Sequence, residues 1–403
     1  MTPEELVSKV QDGTLRLHEL EEHAQADVAA TARRRFIEAE SDTDLETIGS
    51  YDFPAETATS NIENLVGAAQ IPLGIVGPIP VDGLPEINTP YLPLATTEGA
   101  LVASVNRGCA AIRAAGGATV RVLQNAMTRA PVFRVDDVAM AADVADWVRC
   151  NQDHLATVAE STTSHGEVHA VTPYVVGDNV FLRFEYGTKD AMGMNMATIA
   201  TEAACDIVES ETGAELIALS GNLCSDKKPA AINAIQGRGR TVAADVQIPA
   251  DIVESYLKTT PDAIAEANRR KNLVGSIKSV SLGANAHAAN TIAAAFVATG
   301  QDVAQVVEGS NAITTADVRD DGSLYASLTC ASLEVGTVGG GTGLPTQTEA
   351  LNILGLHGGG DPPGANADAL AKIIATAALA GELSLLGALA ADHLASAHEE
   401  LGR

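Results

Sequence analysis

Apolar and polar positions divide the chain into segments of different character. Residues 1 to about 50 are charged, with only a thin apolar stripe of Leu15, Leu17, Leu20, Ala29 and Ile37. That pattern predicts an N-terminal helical arm. The run NLVGAAQIPLGIVGPIPV (64–81) is apolar throughout but broken by Gly67, Pro72, Gly74, Gly77, Pro78 and Pro80. Such breakers forbid a helix, leaving extended pieces that are buried or lie at a subunit contact. A helical pattern then starts at Thr97. Thr96 or Thr97 can cap it, Glu98 falls in its first turn, Leu101, Val105 and Ile112 share a face, and Gly116-Gly117 ends it.

Residues 131 to about 219 read as a separate unit. PVFRV is a short strand, and 136–150 has helical spacing. EVHAVTPYVV and NVFLRFEYG are strands joined at Gly177-Asp178-Asn179. Residues 190–209 form a second helix, and GAELIALSG a closing strand. The order β-α-β-β-α-β is that of a ferredoxin-like split unit. It reads as an insertion into a larger domain made of 51–130 and 220–403. That larger domain carries a basic loop (226–240), a small-residue helix (about 285–299), a glycine cluster (336–343) and an Ala-rich helical stretch (367–401). The predicted class is α+β: a large mixed helical and strand domain with an inserted small ferredoxin-like domain.

Charge narrows the functions available. The formal net charge is −27, and only eight of the basic residues are lysines. A surface of that sign repels phosphate backbones and disfavours nucleic-acid binding. The acid is spread along the chain, which suits a protein kept soluble in concentrated salt. Cys109, Cys150, Cys205, Cys224 and Cys330 have no CxxC spacing, as expected of reduced thiols in the cytoplasm. The start, MTPEELVSKVQDG, is no signal peptide. The longest uncharged run (279–301) carries Asn285, His287 and Asn290, too polar for a membrane span. The expectation is a soluble protein without a membrane partner.

Several residues invite a chemical reading beside a plain one. Lys227 and Lys228 stand adjacent before Pro229: such a lysine can stabilise a developing oxyanion, or the segment is a solvated basic loop. Glu98 is a proton carrier if apolar neighbours raise its pKa, or a helix-end acid. The cluster from Gly336 to Gly343 can meet a pyrophosphate with its backbone N–H groups, or is a flexible loop; its spacing is not that of a Rossmann motif. Met192, Met194 and Met196 suit contact with a flat ring, or fill core. Asp302 follows a helix end at Gly300, and His398 lies in a terminal helix; alone they read as a cap and an exposed histidine. His165 and His169 lack metal-type partners, and no catalytic metal is expected.

Taken together and in order, these motifs resemble one family. The stretches ENLVGAAQIPLGIVGP (63–78), LATTEGALVASVNRG (94–108), MTRAPV (127–132), DAMGMNM (190–196), SGNLCSDKKPAAINAIQGRGR (220–240), KNLVGS (271–276), NAHAAN (285–290), GQD (300–302), GTVGGGTG (336–343) and AGELSLLGALAADHLASAH (380–398) are similar to 3-hydroxy-3-methylglutaryl-coenzyme A reductases. TTEGALVAS points to the biosynthetic class, of the archaeal type without the membrane-anchor region. The resemblance implies reduction of hydroxymethylglutaryl-CoA to mevalonate and CoA by two hydrides from NADPH, with NADH as the other candidate. It makes Glu98, Lys227, Asp302 and His398 catalytic. Arg129, Ser220, Asn222, Lys228, Lys271 and Asn290 would hold the hydroxymethylglutaryl group. Asp190, Met192, Gly193, Met194 and Asn195, with Gly336, Thr337, Val338, Gly339, Gly340, Gly341 and Thr342, would hold the dinucleotide. It also implies a dimer or dimer of dimers with shared active sites, ENLVG (63–67) being the dimerisation stretch.

The implied chemistry explains the residue types. Lys227 stabilises the hemithioacetal oxyanion, His398 protonates the departing thiolate, Glu98 supplies a proton to the aldehyde oxygen, and Asp302 couples Glu98 to Lys227. Two positions depart from the family pattern. Residues 161–165 read Ser-Thr-Thr-Ser-His, without the arginine that would grip a 2′-phosphate, and Ala397 precedes His398 where serine is frequent. An acyl-CoA transferase or lyase would share the thioester without a dinucleotide, and an acidic scaffold would show no turnover.

Overall fold

The computed structural model describes residues 1–82, 84 and 90–401, with side chains up to Ala391. His398 therefore lies outside the described side chains. The N-terminal arm is helical, as the charge pattern predicts, in the segments Pro3–Gln11 and Ala26–Ser41. Its small core of Leu6, Leu20, Ala29 and Ala32 is separate from the rest. Beyond it the Gly/Pro-broken run forms strand β1 (Leu73–Val76), antiparallel to β2 (Leu92–Ala95). Ile71, Leu73 and Ile75 remain exposed.

The remaining strands are β3 (Thr119–Arg129), β4 (Val132–Arg134), β5 (Glu167–Val176), β6 (Asn179–Gly187), β7 (Glu215–Ala218), β8 (Gly239–Ile248), β9 (Ala312–Val318) and β10 (Leu324–Leu333). They run as β7-β4-β6-β3-β8-β10-β9, with β5 on the outer side of β6. Within this, β7-β4-β6-β5 is an all-antiparallel set. The predicted β-α-β-β-α-β order is present, with an additional helix, Gln152–Glu160, after Val138–Cys150. β3 joins the two halves: Met127, Thr128 and Arg129 pair with β6, while Thr119 to Ala126 pair with β8.

Two apolar cores sit on this sheet. The smaller packs Phe133, Leu182 and Phe184 against Val144, Val148, Ala204 and Val208 of the flanking helices. The larger gathers Val242, Leu328 and Leu333 of the sheet with Val105, Ile292, Phe296 and Leu379 from three helices. Each fully buried Leu, Ile or Phe contributes about 1.5–3 kcal/mol by leaving water. The C-terminal helix Ala365–Leu401 forms the spine of the large core. Its stretch Ala365–Ala391 is long and apolar enough to cross a membrane, but its most apolar window is 83 % buried in the protein, as a core helix is. Small residues let the helix Leu101–Ala114 approach it closely: a Cβ on Gly108 would fall 1.9 Å from the Ala380 carbonyl oxygen.

Two local expectations differ from what forms. The helix containing the predicted Glu98 turn begins only at Leu101. Ala100 adopts φ 66 there, a left-handed conformation that no α-helical turn accommodates, so Glu98 sits on the preceding loop with its N–H bonded to Thr96 Oγ1. The second helix of the small unit likewise starts at Met194, not near Asp190, because Gly193 turns at φ 92.

Candidate active site

The lysine-bearing loop between β7 and the short helix Ala231–Gln236 is built under backbone strain. Asn222, Ser225 and Lys227 all have positive φ, between 54° and 64°. For non-glycine residues each such turn costs roughly 1–2 kcal/mol, so contacts elsewhere must hold the loop. Ser225 is buried and donates to Asn233 Oδ1 at 2.6 Å. The Lys227 N–H donates to Glu308 Oε1 at 2.8 Å. The Lys227 ammonium lies 2.9 Å from Asp302 Oδ2. Asp302, placed by the left-handed Gly300 that ends the helix Ala288–Thr299, also caps the next turn by accepting from Ala304 N. The hydrogen bond to Asp302 raises the Lys227 pKa, aided by the charges of Asp226 and Glu308. The lysine is thus held cationic, as an oxyanion donor requires.

Beneath this loop lies a buried charge network. Arg238, fully buried, reaches Asp226 (3.1 Å), Glu308 (3.0 Å) and Glu334 (2.9 Å), and its Nε donates to Thr128 Oγ1 (3.1 Å). Its Nη2 also lies 2.9 Å from the Met194 sulfur. One guanidinium faces three carboxylates. Burial pushes the Glu334 carboxyl well above its usual range against the pull of Arg238, and burial also raises Glu308. Glu308, Glu334 and Gln305 escape a motif-based reading. The only local signal is a carboxylate inside an apolar run, VVEG and SLEVG.

Both dinucleotide-binding candidates converge on one cavity of about 730 Å³. Met192, Gly193, Met194 and Asn195 line one side. Gly336, Val338, Gly339, Gly340, Gly341 and Thr342 line the other, and Asp302 stands at the same wall. The glycines are required sterically: a Cβ on Gly336 would lie 2.5 Å from Met192 N, and one on Gly300 2.4 Å from Gly341 O. Gly339 and Gly340 face open space, leaving room for a ligand against the loop backbone. Size and lining suit a small-molecule site.

Asp190 and Thr337 do not line this cavity. The Asp190 carboxylate is buried and consumed by the N–H groups of Gly360 (2.9 Å), Gly364 (2.7 Å) and Ala367 (3.1 Å), which fix the start of the C-terminal helix. Thr337 is buried; its hydroxyl donates to Gly358 O and its N–H donates to Asp190 O. Both brace the pocket from behind, a correction to their expected direct contact.

Glu98 stands apart from the lysine cluster. It lines a second cavity with Thr96, Thr97, Asn290 and Val297, and Val297 also lines the first. Asn290 Nδ2 donates to Glu98 Oε1 at 3.1 Å. The carboxylate is exposed, so the apolar surroundings expected around it are not supplied by its own chain. Asp302 contacts Lys227, and the partner of Glu98 is Asn290.

The expected acyl-binding residues divide similarly. Ser220 meets Cys224 at 3.4 Å, Asn222 is exposed on the lysine loop, and Lys228 donates to Asp226 O at 2.9 Å. Arg129, at the end of β3, has a buried Nε with no partner. Burial works to raise the Cys224 thiol, but the Ser220 hydrogen bond and the Asp226 N–H, with the charges of Arg238 and Arg129, outweigh it and hold the thiol below its usual range. Lys271 is not brought to this cluster: it is exposed on the π-helical segment Asn268–Gly275, packed on β9 and the helix Pro261–Ala267, and lines neither cavity.

A cationic lysine thus stands beside a glycine-lined cavity, with Asp302 in the wall between them. Residues 29–403 match the family model for hydroxymethylglutaryl-coenzyme A reductase. The chain is 66 % identical to the 3-hydroxy-3-methylglutaryl-coenzyme A reductase of Haloferax volcanii, covering 99 % of this chain and 98 % of that one. It is 52 % identical to that of Pyrococcus abyssi over the whole of both. Its fold is similar to that of a class II reductase from Streptococcus pneumoniae bound to NADPH, with a TM-score of 0.68, 21 % identity, and 88 % and 82 % of the two chains covered. The chain belongs to the hydroxymethylglutaryl-coenzyme A reductase family. Membership decides for a reductase over a transferase or lyase.

Proposed function

We propose that the protein reduces 3-hydroxy-3-methylglutaryl-CoA to mevalonate and CoA, with NADPH bound in the cavity between the Met192–Asn195 turn and the Gly336–Thr342 loop. The observation that carries this reading is the Lys227–Asp302 pair at 2.9 Å, with Asp302 in the wall of that cavity. Two molecules of NADPH, bound there in succession, would each supply one hydride. As the first reaches the thioester carbonyl, the Lys227 ammonium meets the developing oxyanion, a donor typically worth about 3–4 kcal/mol. Asp302 keeps that ammonium charged and aimed. When the hemithioacetal collapses, His398 gives a proton to the CoA thiolate. The aldehyde oxygen takes its proton from Glu98, oriented by Asn290. Arg129, Ser220, Asn222 and Lys228 surround the acyl end, and Lys271 reaches it from a second chain.

A dimer or dimer of dimers in the cytoplasm is part of this proposal. The exposed Ile71, Leu73 and Ile75 beside Glu98, and the exposed Val274, Ile277 and Val280 beside Lys271, support it as surfaces one chain leaves uncovered. The test is turnover of hydroxymethylglutaryl-CoA with NADPH and NADH compared, in dilute and molar KCl. Oxidation of NADPH with release of mevalonate is expected, with melting temperature rising with salt as screening relieves the −27 charge. No nucleotide oxidation in either salt overturns the function. A melting temperature that falls with KCl overturns the salt adaptation alone.

A further inference from the structure

We propose that Glu308 is a positioning residue for Lys227, holding the lysine backbone where its ammonium can reach Asp302. The inference rests on the reading of Lys227 as the oxyanion donor. The stretch 302–308 grips the lysine loop at three points: Asp302 Oδ2 takes the Lys227 ammonium (2.9 Å), Gln305 Nε2 donates to Asp226 Oδ1 (3.4 Å), and Glu308 Oε1 takes the Lys227 backbone N–H (2.8 Å). Two of these act on one residue from opposite ends, so the side chain is stretched between fixed points. Without the lower grip, the φ of 57° at Lys227 is held only through its neighbours Ser225 and Asp226, and the ammonium loses direction.

Glu308 is suited to this because it cannot itself move. It is fully buried in the short helix Val306–Gly309, and the same Oε1 takes Arg238 Nη1 at 3.0 Å. Arg238 in turn is fixed to Thr128 on β3, to Glu334 at the end of β10, and to the Met194 sulfur at the cavity wall. The lysine backbone is therefore referenced to the sheet and to the dinucleotide cavity through a single carboxylate oxygen. Glu308 touches no reacting atom; it acts through Lys227.

The experiment compares Glu308→Ala, Glu308→Gln, Lys227→Ala and the double variant Lys227→Ala/Glu308→Ala in the full chain. Glu308→Ala is expected to lower kcat on the order of 10²-fold, as for a misplaced catalytic group, with KM for thioester and NADPH nearly unchanged. On the Lys227→Ala background the same change should add almost nothing, because both remove one device. Glu308→Gln keeps a carbonyl oxygen for both donors and should recover most of the turnover. Its alkaline limb should move to lower pH, since the groups around the ammonium are then Asp302 and Asp226, with Arg238 and Lys228 opposing, and one negative neighbour is lost. Wild-type kcat in Glu308→Ala, or equal slowing on both backgrounds, overturns the proposal. Should Glu308→Ala fail to fold by circular dichroism, Glu308→Leu, which fills the space but accepts from neither donor, takes its place, and wild-type kcat in that variant overturns the proposal. Lys227→Ala alone retaining more than a tenth of turnover is a different failure, that of the lysine reading itself.

Discussion

The two ends of the candidate site are made differently. Lys227 stands on a loop gripped by Asp302, Gln305 and Glu308 and underlain by the buried Arg238 network. Glu98 stands on an exposed loop with Asn290 as its side-chain partner and the uncovered apolar residues of β1 nearby. At the first end the lysine is held entirely by its own chain. The second has the chemistry of a proton donor without the dry surroundings that would tune it, and the proposed second chain is what would supply them. Rigidity where charge must be aimed, and openness at the other end, is what the proposed dimer would use.

The comparison can be broken most severely at its rigid end. Lys227→Ala should lower turnover about 10²–10³-fold, the usual loss for one oxyanion donor, while circular dichroism and melting stay close to wild type because the ammonium is partly exposed. At the open end, Glu98→Gln should bind thioester and nucleotide normally but reduce added mevaldehyde about 10²-fold more slowly, the lower end of the usual loss on removing a general acid. Normal mevaldehyde rates would make Glu98 a loop acid only. The smallest effect sharpens the link between the two. Asp302 is the leading cause of the raised Lys227 pKa, and this pKa sets the pH above which the ammonium is lost. Asp302→Asn should therefore shift the alkaline limb of the rate profile to lower pH, leaving the plateau below it reduced but present. An unmoved limb would separate that limb from Lys227.

Much of the active end can be read in the sequence because its residues are close neighbours in the chain. DAMGMNM and the glycine cluster announce themselves, and they do meet in one cavity. The ferredoxin-like order is legible from strand and helix periods alone. What supports the lysine is not legible, because Arg238, Glu308 and Glu334 are far apart along the chain and meet only when β10 pairs with β8 and the helix Val306–Gly309 packs on it. Asp190 illustrates a converse error. Its motif is at the cavity, but its carboxylate turns inward to three backbone N–H groups, a choice that depends on a loop over 160 residues away. The apolar period extends a helix back to Glu98, and the left-handed backbone of Ala100 overrules that period.

The close crossing of the helix Leu101–Ala114 with the C-terminal helix has a consequence for how this protein can change over generations. The space between Gly108 and the Ala380 carbonyl is smaller than a methyl group, and the neighbouring faces are already buried. No single substitution at position 108 is available without moving a 37-residue helix that begins at the cavity's brace, Asp190. The obstructing atoms are backbone that no replacement at 380 removes, so position 108 is held at glycine, whereas the acidic surface can drift one residue at a time. The interior and the exterior of this molecule therefore keep different clocks.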